Sequence, residues 1–167
     1  MRQLAHHEVP RSGHQYPIWL LLPDWVDPRN VGSAFRLADA AGLAGIVLAG
    51  STPAPPNPKI AKTARSTVRS VSYREVPDAV AYVESERARG SYVLALELTD
   101  TSASLFTYPV PTGNILLIAG NESAGIPANL LALSHASVHL PMHGQNTSMN
   151  VSVALGAAVY VLLMKLQ

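Results

Sequence analysis

Residues 114–125, with the sequence NILLIAGNESAG, carry the clearest indication of the fold. The apolar run 114–119 has the length and composition of a strand that is buried on both faces of a parallel sheet. It leads directly into a Gly-Asn-Glu triplet that begins at Gly120 and is soon followed by Gly125. Glycines at these positions let backbone N–H and C=O groups face a ligand without an intervening Cβ. A plain strand-to-helix turn would explain the two glycines but not the Asn-Glu pair between them, so the pattern predicts a binding loop.

Strand-like and helix-like segments alternate on both sides of this stretch. The expected strands are residues 16–22, 45–49, 92–97, 114–119 and 137–140. The expected helices are residues 31–41, 77–89, 127–133 and 147–166, and Asp27 and Pro28 are expected to open the first of them. Residues 51–58 predict a proline-rich loop, and residues 59–71 predict a helical turn followed by a short strand. The alternation predicts one α/β domain over residues 1–167, with a mainly parallel sheet, flanking helices and a short N-terminal tail over residues 1–16.

The composition is that of a globular protein. Of the 167 residues, 48% are hydrophobic and 14% are charged, which excludes a disordered chain. The lack of cysteine excludes disulfides and thiolate metal sites. Residues 1–10 do not resemble a secretory signal, and the most apolar stretch, residues 151–164, is too short to cross a bilayer. We therefore expect a soluble, cytoplasmic protein without a membrane partner.

Three histidines at a spacing of four residues, His135, His139 and His143, would suggest a metal site if they lay on a helix. They fall in and beside a predicted strand, where side chains at this spacing do not converge, and no carboxylate is near them in the sequence. We therefore expect no metal.

Positive charge is concentrated in one segment, although the formal net charge of the chain is only +1. Every charged residue between positions 59 and 74 is basic. Such a segment can bind the phosphate backbone of RNA, and an ordinary solvated surface would explain the same charges. The candidate RNA-binding residues are Lys59, Lys62, Arg65 and Arg69.

A second candidate for chemistry lies at the start of the helix expected from residue 31. Asn30 is placed to cap this helix, Gly32 permits close approach of another group, and Arg36 shares its face with Gly32. Because apolar residues surround Arg36, we expect it to lie away from the fully solvated face. Its guanidinium could then bind a phosphate with two hydrogen bonds. A capped amphipathic helix with a surface arginine is the alternative.

The last predicted helix begins with many polar residues. Residues 140–142 (LPM) lead through a loop to Ser148, Asn150 and Ser152 at the start of an apolar helix. Capping accounts for one or two of these polar residues but not for three, and all would be costly to bury without partners. Apolar residues on most faces of this helix require burial against the sheet of the same chain or against a second subunit.

In this order, the three constellations resemble the three motifs of the SpoU/TrmH family of RNA 2′-O-ribose methyltransferases, within the SPOUT superfamily. Residues 30–36 are similar to the first motif, residues 120–125 to the second, and residues 140–142 with 148–154 to the third. One departure lies at residues 65–67, where Arg-Ser-Thr is more basic and bulkier than the leucine-glycine-alanine sequence of many short members.

The resemblance implies a fold, an assembly and a cofactor. The fold is α/β with a deep trefoil knot near the C-terminus, the assembly is a homodimer, and the cofactor is S-adenosylmethionine. The cofactor lies in the knot and is held largely by backbone groups. The implied cofactor-binding residues are Leu96, Gly120, Leu140, Met142, Ser148 and Met149.

The resemblance also implies a reaction, the transfer of a methyl group to a ribose 2′-hydroxyl of RNA. The implied catalytic residues are Arg36, Asn30, Glu122, Ser148 and Asn150. Because arginine keeps its proton, we expect Arg36 to bind the adjoining phosphate and to stabilise the developing alkoxide, while the proton leaves to Glu122, water or the phosphate. Transfer RNA is the expected substrate, since short members of the family include tRNA enzymes. Ribosomal RNA, methylation of a base and an inactive RNA-binding module are the alternatives.

Overall fold

A sheet of seven parallel strands lies at the centre of the part of the chain that the computed structural model describes, residues 1–5, 8–10, 13–145 and 148–167. Its strands are β1 (Tyr16–Pro23), β2 (Leu43–Ala49), β3 (Tyr73–Val76), β4 (Tyr92–Leu96), β5 (Ala103–Ser104), β6 (Ile115–Ala119) and β7 (Ala136–His139). The helices are α1 (Pro28–Ala40), α2 (Pro58–Ala64), α3 (Ala79–Ala88), α4 (Ala128–Leu133) and α5 (Val151–Lys165), and a 3₁₀ helix spans Arg65–Arg69. The expected parallel α/β sheet with flanking helices is confirmed.

The strands lie in the order β3-β2-β1-β6-β4-β7-β5. β6 is inserted between β1 and β4, so that Leu21 of β1 and Ala95 of β4 both pair with Ile118. Because all the strands are parallel, the loops that follow β1, β6 and β4 leave the sheet at the same edge. This carboxyl edge is where α/β proteins bind their ligands.

Alternate side chains of the strands enter two apolar clusters, one on each face of the sheet. In β1, Leu20 and Leu22 face the cluster that includes residues of α1, α2 and α5, whereas Leu21 faces the cluster covered by α3 and α4. All three leucines are fully buried. A strand that is covered on both faces must be apolar at every position, which explains why the sequence identified the central strands.

The first helix opens at Asp27 and Pro28, as the sequence predicted. α1 starts at Pro28, and its N-cap is Asp27, whose side chain accepts a hydrogen bond from the N–H of Arg29. Asn30 lies within the first turn and is buried, so the predicted capping role of Asn30 is wrong. Proline is favoured at the first helical position because its missing N–H would have no partner there.

Two strands were missed or misplaced in the sequence analysis. The strand expected by residue 71 follows later, as β3, and the segment before it forms the 3₁₀ helix. Among the described strands, β3 pairs with β2 alone and is an edge strand. Its two central residues are exposed, so its sequence has no continuous apolar run. β5 has two residues, which is too few for any periodic signal.

Gly32 is buried where α1 contacts α2. A Cβ added to Gly32 would lie 2.7 Å from the Cβ of Thr63. The close approach expected at this glycine is therefore that of α2, the helix that carries Lys59 and Lys62. The contact fixes these basic residues beside the helix that carries Arg36.

Candidate functional site

The carboxylate of Glu122 joins two of the predicted motifs. Glu122 follows β6 and accepts hydrogen bonds from the backbone N–H of Val26 (3.1 Å) and of Asp27 (3.2 Å). It also accepts one from the side-chain amide of Asn30 (2.8 Å). One side chain thus connects the loop after β6 to the loop after β1 and to the first turn of α1.

These contacts also set the charge of Glu122. Burial raises the pKa of this carboxyl group, but the hydrogen bonds from Asn30, Val26 and Asp27 outweigh burial, so its pKa lies below the ordinary value for glutamic acid. The group is therefore ionised at neutral pH, and N–H donors occupy its oxygens. A carboxylate with a lowered pKa is a weaker base. The structure thus disfavours Glu122 among the three proton acceptors considered from the sequence.

The loop after β6 is held by its own backbone and by Glu97. Asn121 and Gly125 exchange two backbone hydrogen bonds of 3.0 Å, and Gly125 has a φ of 67°, which only glycine adopts readily. The carboxylate of Glu97 accepts a hydrogen bond from the N–H of Ile126 (2.9 Å). The side-chain amide of Asn121 donates to the carbonyl oxygen of Asp24 in the loop after β1. The predicted binding loop is therefore a fixed structure.

Asn150 connects the start of α5 to Asn30. Its Oδ1 accepts hydrogen bonds from the N–H of Ser152 (2.9 Å) and from the Ser152 hydroxyl (2.6 Å), which makes Asn150 the N-cap of α5. Its Nδ2 donates to the Oδ1 of Asn30 at 3.3 Å. Because Asn150 is the N-cap, α5 begins at Val151, later than the predicted start at residue 147. Residue 147 itself lies outside the described residues.

A cleft of about 140 Å³ lies beside this network, between the ends of β4 and β7 and the start of α5. Gly120 does not line it but is buried at the end of β6, where an added Cβ would lie 2.4 Å from the backbone of Gly125. The other five residues that were predicted to bind a cofactor do line the cleft: Leu96, Leu140, Met142, Ser148 and Met149.

The sequence analysis missed four lining residues of this cleft. They are Glu97, Leu98, His139 and Ala154. Their positions carried the available signal, since Glu97 and Leu98 directly follow β4, and His139 ends β7. His139 was considered only as a metal ligand. Within the described residues, no group of three or more His, Asp or Glu side chains is placed to hold a metal.

Arg36 lies on α1, about 9 Å further along the helix axis than Asn30. Its side chain is exposed and makes no hydrogen bond or ion pair with any described residue. The expectation that Arg36 lies away from the solvated face is therefore wrong. The neighbouring side chains of Phe35 and Ala38 enter the core, and the helical turn directs residue 36 to the opposite side. No described contact joins Arg36 to Glu122 or Asn150.

The four residues predicted to bind RNA are all exposed, on α2 and the 3₁₀ helix that follows it: Lys59, Lys62, Arg65 and Arg69. We call these four residues the basic surface. Because α2 contacts α1 at Gly32, the basic surface flanks the helix that carries Arg36. Of the helices in the described ranges, none is both long and apolar enough to cross a membrane.

Comparison with known proteins gives the family to which this chain belongs. The sequence profile of the SpoU rRNA Methylase family matches residues 17–160, and the chain belongs to this family. It is 34% identical over 143 residues, 84% of its length, to the 23S rRNA (guanosine(2553)-2'-O)-methyltransferase RlmP of Bacillus subtilis.

Two solved structures have similar folds. The AdoMet-bound rRNA methyltransferase from Sinorhizobium meliloti superposes with a TM-score of 0.84 at 28% identity, over 91% of this chain and 59% of that one. A structure described as giving insights into the 2-OH methylation of C/U34 on tRNA superposes with a TM-score of 0.80 at 29% identity, over 93% of this chain and 98% of that one. The chain spans 56% of the length of the Bacillus subtilis RlmP protein.

Replacement of Glu122 by glutamine is expected to lower the free energy of unfolding by about 1 kcal/mol at pH 7, because a neutral amide offers one acceptor oxygen to three N–H donors. The pKa of Glu122 is lower in the folded chain than in the unfolded one, so its stabilisation is full above the unfolded-state pKa of about 4.3. It is lost as the pH falls through the folded-state pKa. Urea denaturation should therefore show the two proteins converging below about pH 4.

The control is Glu84→Gln, since Glu84 is exposed on α3 and has no hydrogen-bond partner among the described residues. It should match the wild type at every pH. A deficit of Glu122→Gln that stays constant from pH 7 to pH 3 would contradict the role given to the charge.

Proposed function

We propose that this chain transfers a methyl group from S-adenosylmethionine to a ribose 2′-hydroxyl of RNA, and that the RNA is tRNA. The observation that carries the proposal is the cleft beside Asn150, which brings together Leu96 and residues from both parts of the third motif. The family of the chain and the AdoMet-bound structure from Sinorhizobium meliloti support the cofactor and the reaction.

The residues of the cleft fit such a cofactor. Leu96, Leu140, Met142 and Met149 offer apolar walls for a planar base, whereas Ser148 and Glu97 offer polar groups for hydroxyl and amino substituents. When bound, S-adenosylmethionine supplies a methyl group that its sulfonium already activates. The protein then has to align the ribose hydroxyl with that methyl group, accept or release the hydroxyl proton, and stabilise the negative charge that develops on the hydroxyl oxygen.

Arg36 is the residue that we assign to the RNA phosphate and to the developing charge. It is exposed and has no partner among the described residues, so its guanidinium is available to bind a phosphate with two hydrogen bonds. It also stabilises negative charge on the hydroxyl oxygen as the proton leaves. Because Glu122 is held by three N–H donors, we assign the proton to water or to the phosphate.

Asn30, Asn150 and Glu122 act through their contacts with one another. The Asn30 amide is engaged by Glu122 on one side and by Asn150 on the other, so we assign Asn30 and Glu122 to positioning. Asn150 and Ser148 lie at the start of α5, where Ser148 lines the cleft and is exposed. We assign both residues to contact with the incoming ribose. We thus propose a role in the reaction for each of the five predicted residues.

A knotted C-terminal segment is also part of the proposal. β4 and β6 separate β7 from β1, yet Asn150, which follows β7 in the chain, contacts Asn30 of α1, and α5 packs in the cluster that contains α1. This arrangement supports the deep trefoil knot implied by the resemblance. A crystal structure whose chain could be untied by pulling on both ends would contradict it.

The activity is tested with unmodified tRNA and ribosomal RNA transcripts and labelled S-adenosylmethionine, followed by nucleoside analysis. We expect 2′-O-methyl nucleosides in tRNA. Label confined to ribosomal RNA would favour the second candidate substrate, which the 23S rRNA name of the Bacillus subtilis relative supports. Label on a base would contradict ribose methylation, and failure to bind S-adenosylmethionine would favour the inactive module.

Variants of Arg36 separate its roles. We expect Arg36→Ala to lower kcat by about 100-fold or more, as expected for loss of a charge that stabilises a transition state. Arg36→Lys should retain a charge but lose the two-bond geometry, with at least about a tenfold loss. Arg89→Ala, at the C-cap of α3, is the control and should keep full activity. Near-full activity of Arg36→Lys would contradict two-bond phosphate recognition.

The basic surface is assigned to the RNA backbone. Because each lost phosphate contact reduces the dependence of log K on log salt by about 0.7 to 0.9, replacing all four residues by alanine should weaken RNA binding and flatten this dependence. S-adenosylmethionine affinity should not change. Filter binding at several salt concentrations measures both effects, with Arg89→Ala again as the control. An unchanged salt dependence would show that the basic surface is only solvated.

A homodimer is proposed from the outer face of α5. One face of this helix packs on the core of its own chain, while Val153 (60% exposed), Tyr160 (54%) and Met164 (67%) form a stripe with Ala157 on the other. An apolar stripe at helical spacing is typical of a subunit contact. We expect a dimer by sedimentation at micromolar concentration, and dissociation by Tyr160→Glu.

The matched control for the dimer is Ala81→Glu on the exposed side of α3, which should leave the assembly unchanged. A monomeric wild type at micromolar concentration would contradict the proposal.

A further inference from the structure

The hydroxyl of Ser102 has three polar neighbours. It accepts a hydrogen bond from the N–H of Thr99 at 3.0 Å, and it donates one to the carbonyl oxygen of Thr99 at 2.9 Å. It also lies 2.9 Å from the Nδ1 of His139. Ser102 and Thr99 belong to the loop between β4 and β5, and His139 is the last residue of β7.

This arrangement fixes the tautomer of His139. A serine hydroxyl has one hydrogen, and a carbonyl oxygen can only accept. If the hydrogen pointed to His139, two oxygen atoms without a hydrogen between them would face each other at 2.9 Å. The hydrogen therefore goes to Thr99, and His139 must donate from Nδ1–H to the Ser102 oxygen. In the neutral imidazole, Nε2 is then an acceptor with a free lone pair.

The Nε2 atom of His139 is unpaired and accessible. Among the described residues Nε2 has no hydrogen-bond partner. The buried side-chain N and O atoms without a partner do not include it, so Nε2 is not buried. His139 lines the same cleft as Leu96, Leu140 and Met149. The backbone of His139 is fixed by its pairing with Ser104 and by a hydrogen bond from the N–H of Leu105 (2.9 Å). The strand thus holds His139, with its unpaired Nε2, at the edge of this cleft.

The size and lining of the cleft indicate which part of a ligand it holds. A volume of about 140 Å³ is below the roughly 300 Å³ of the smallest typical pockets for whole ligands, so the cleft suits one ring system. Its leucine and methionine walls suit a flat base. We infer that His139 is a specificity-determining residue, an inference that rests on the proposed cofactor. Its Nε2 accepts a hydrogen bond from the 6-amino group of adenine, and Ser102 holds the tautomer of His139 that makes this possible.

The inference is tested by calorimetry with S-adenosylhomocysteine and its 6-oxo analogue, S-inosylhomocysteine. The wild type should bind the amino compound at least about tenfold more tightly, since the analogue places an acceptor against the lone pair. His139→Asn keeps a donor at the Nδ1 position and removes Nε2, so the ratio of the two Kd values should fall toward one. His139→Gln keeps an acceptor near the Nε2 position and should retain part of the discrimination.

His135→Asn is the matched control. His135 accepts a hydrogen bond from the N–H of Val93 through Nδ1 at 2.9 Å and does not line the cleft, and asparagine can replace that acceptor. Its ratio of Kd values should equal that of the wild type. A wild type that binds neither compound would overturn the proposed cofactor, whereas a wild type that binds both equally well overturns only the role of His139.

Nitrogen NMR of labelled histidine tests the tautomer on the wild type itself, independently of how the variants fold. We expect His139 to carry its proton on Nδ1, and the Nε2 resonance to move when S-adenosylhomocysteine is added. A proton on Nε2 in the complex would overturn the inference. So would a His139→Asn protein that keeps the wild-type ratio of Kd values.

Discussion

The hydrogen bonds of the Glu122 carboxylate are the contacts on which the candidate site depends. They connect the loop after β6 to the backbone after β1 and to Asn30, and Asn30 in turn contacts the cap of α5. Three segments that are distant in the chain are therefore held at one place. Because the donors outweigh burial, the charge of Glu122 is maintained at neutral pH, and the charge in turn keeps the donors in place.

The order of the strands makes this connection possible. β6 lies between β1 and β4, so the loops after these three strands emerge side by side at the carboxyl edge. β7 lies on the other side of β4, which places His139 and Leu140 across the cleft from Leu96 and Leu98. The site thus forms because neighbouring strands of this parallel sheet are not consecutive in the sequence. Other α/β proteins bind ligands at the same edge of the sheet for this reason.

Local sequence patterns predicted most of the strands and helices and the grouping of the motifs. They did not predict which side chains form hydrogen bonds with one another. The central strands were identified because burial on both faces requires continuous apolar runs, as in β6. Edge strands such as β3 escaped because half of their surface faces water. Asn30 was mistaken for a cap because its residue type suits that role, whereas its amide is engaged by Glu122, which lies far along the chain. His139 was overlooked because its partner, Ser102, is on another loop.

The sequence by itself determined the fold class, the family motifs and the residue types available for chemistry. These properties depend on periodicity, on strand-end glycines and on short spacings, all of which are local. Only the tertiary structure decided that Gly120 serves a close backbone contact instead of lining the cleft, that Arg36 is exposed, and that Glu122 is an ionised anchor. Each of these outcomes depends on contacts between segments that the strand order brings together, and spacing along one chain does not encode that order.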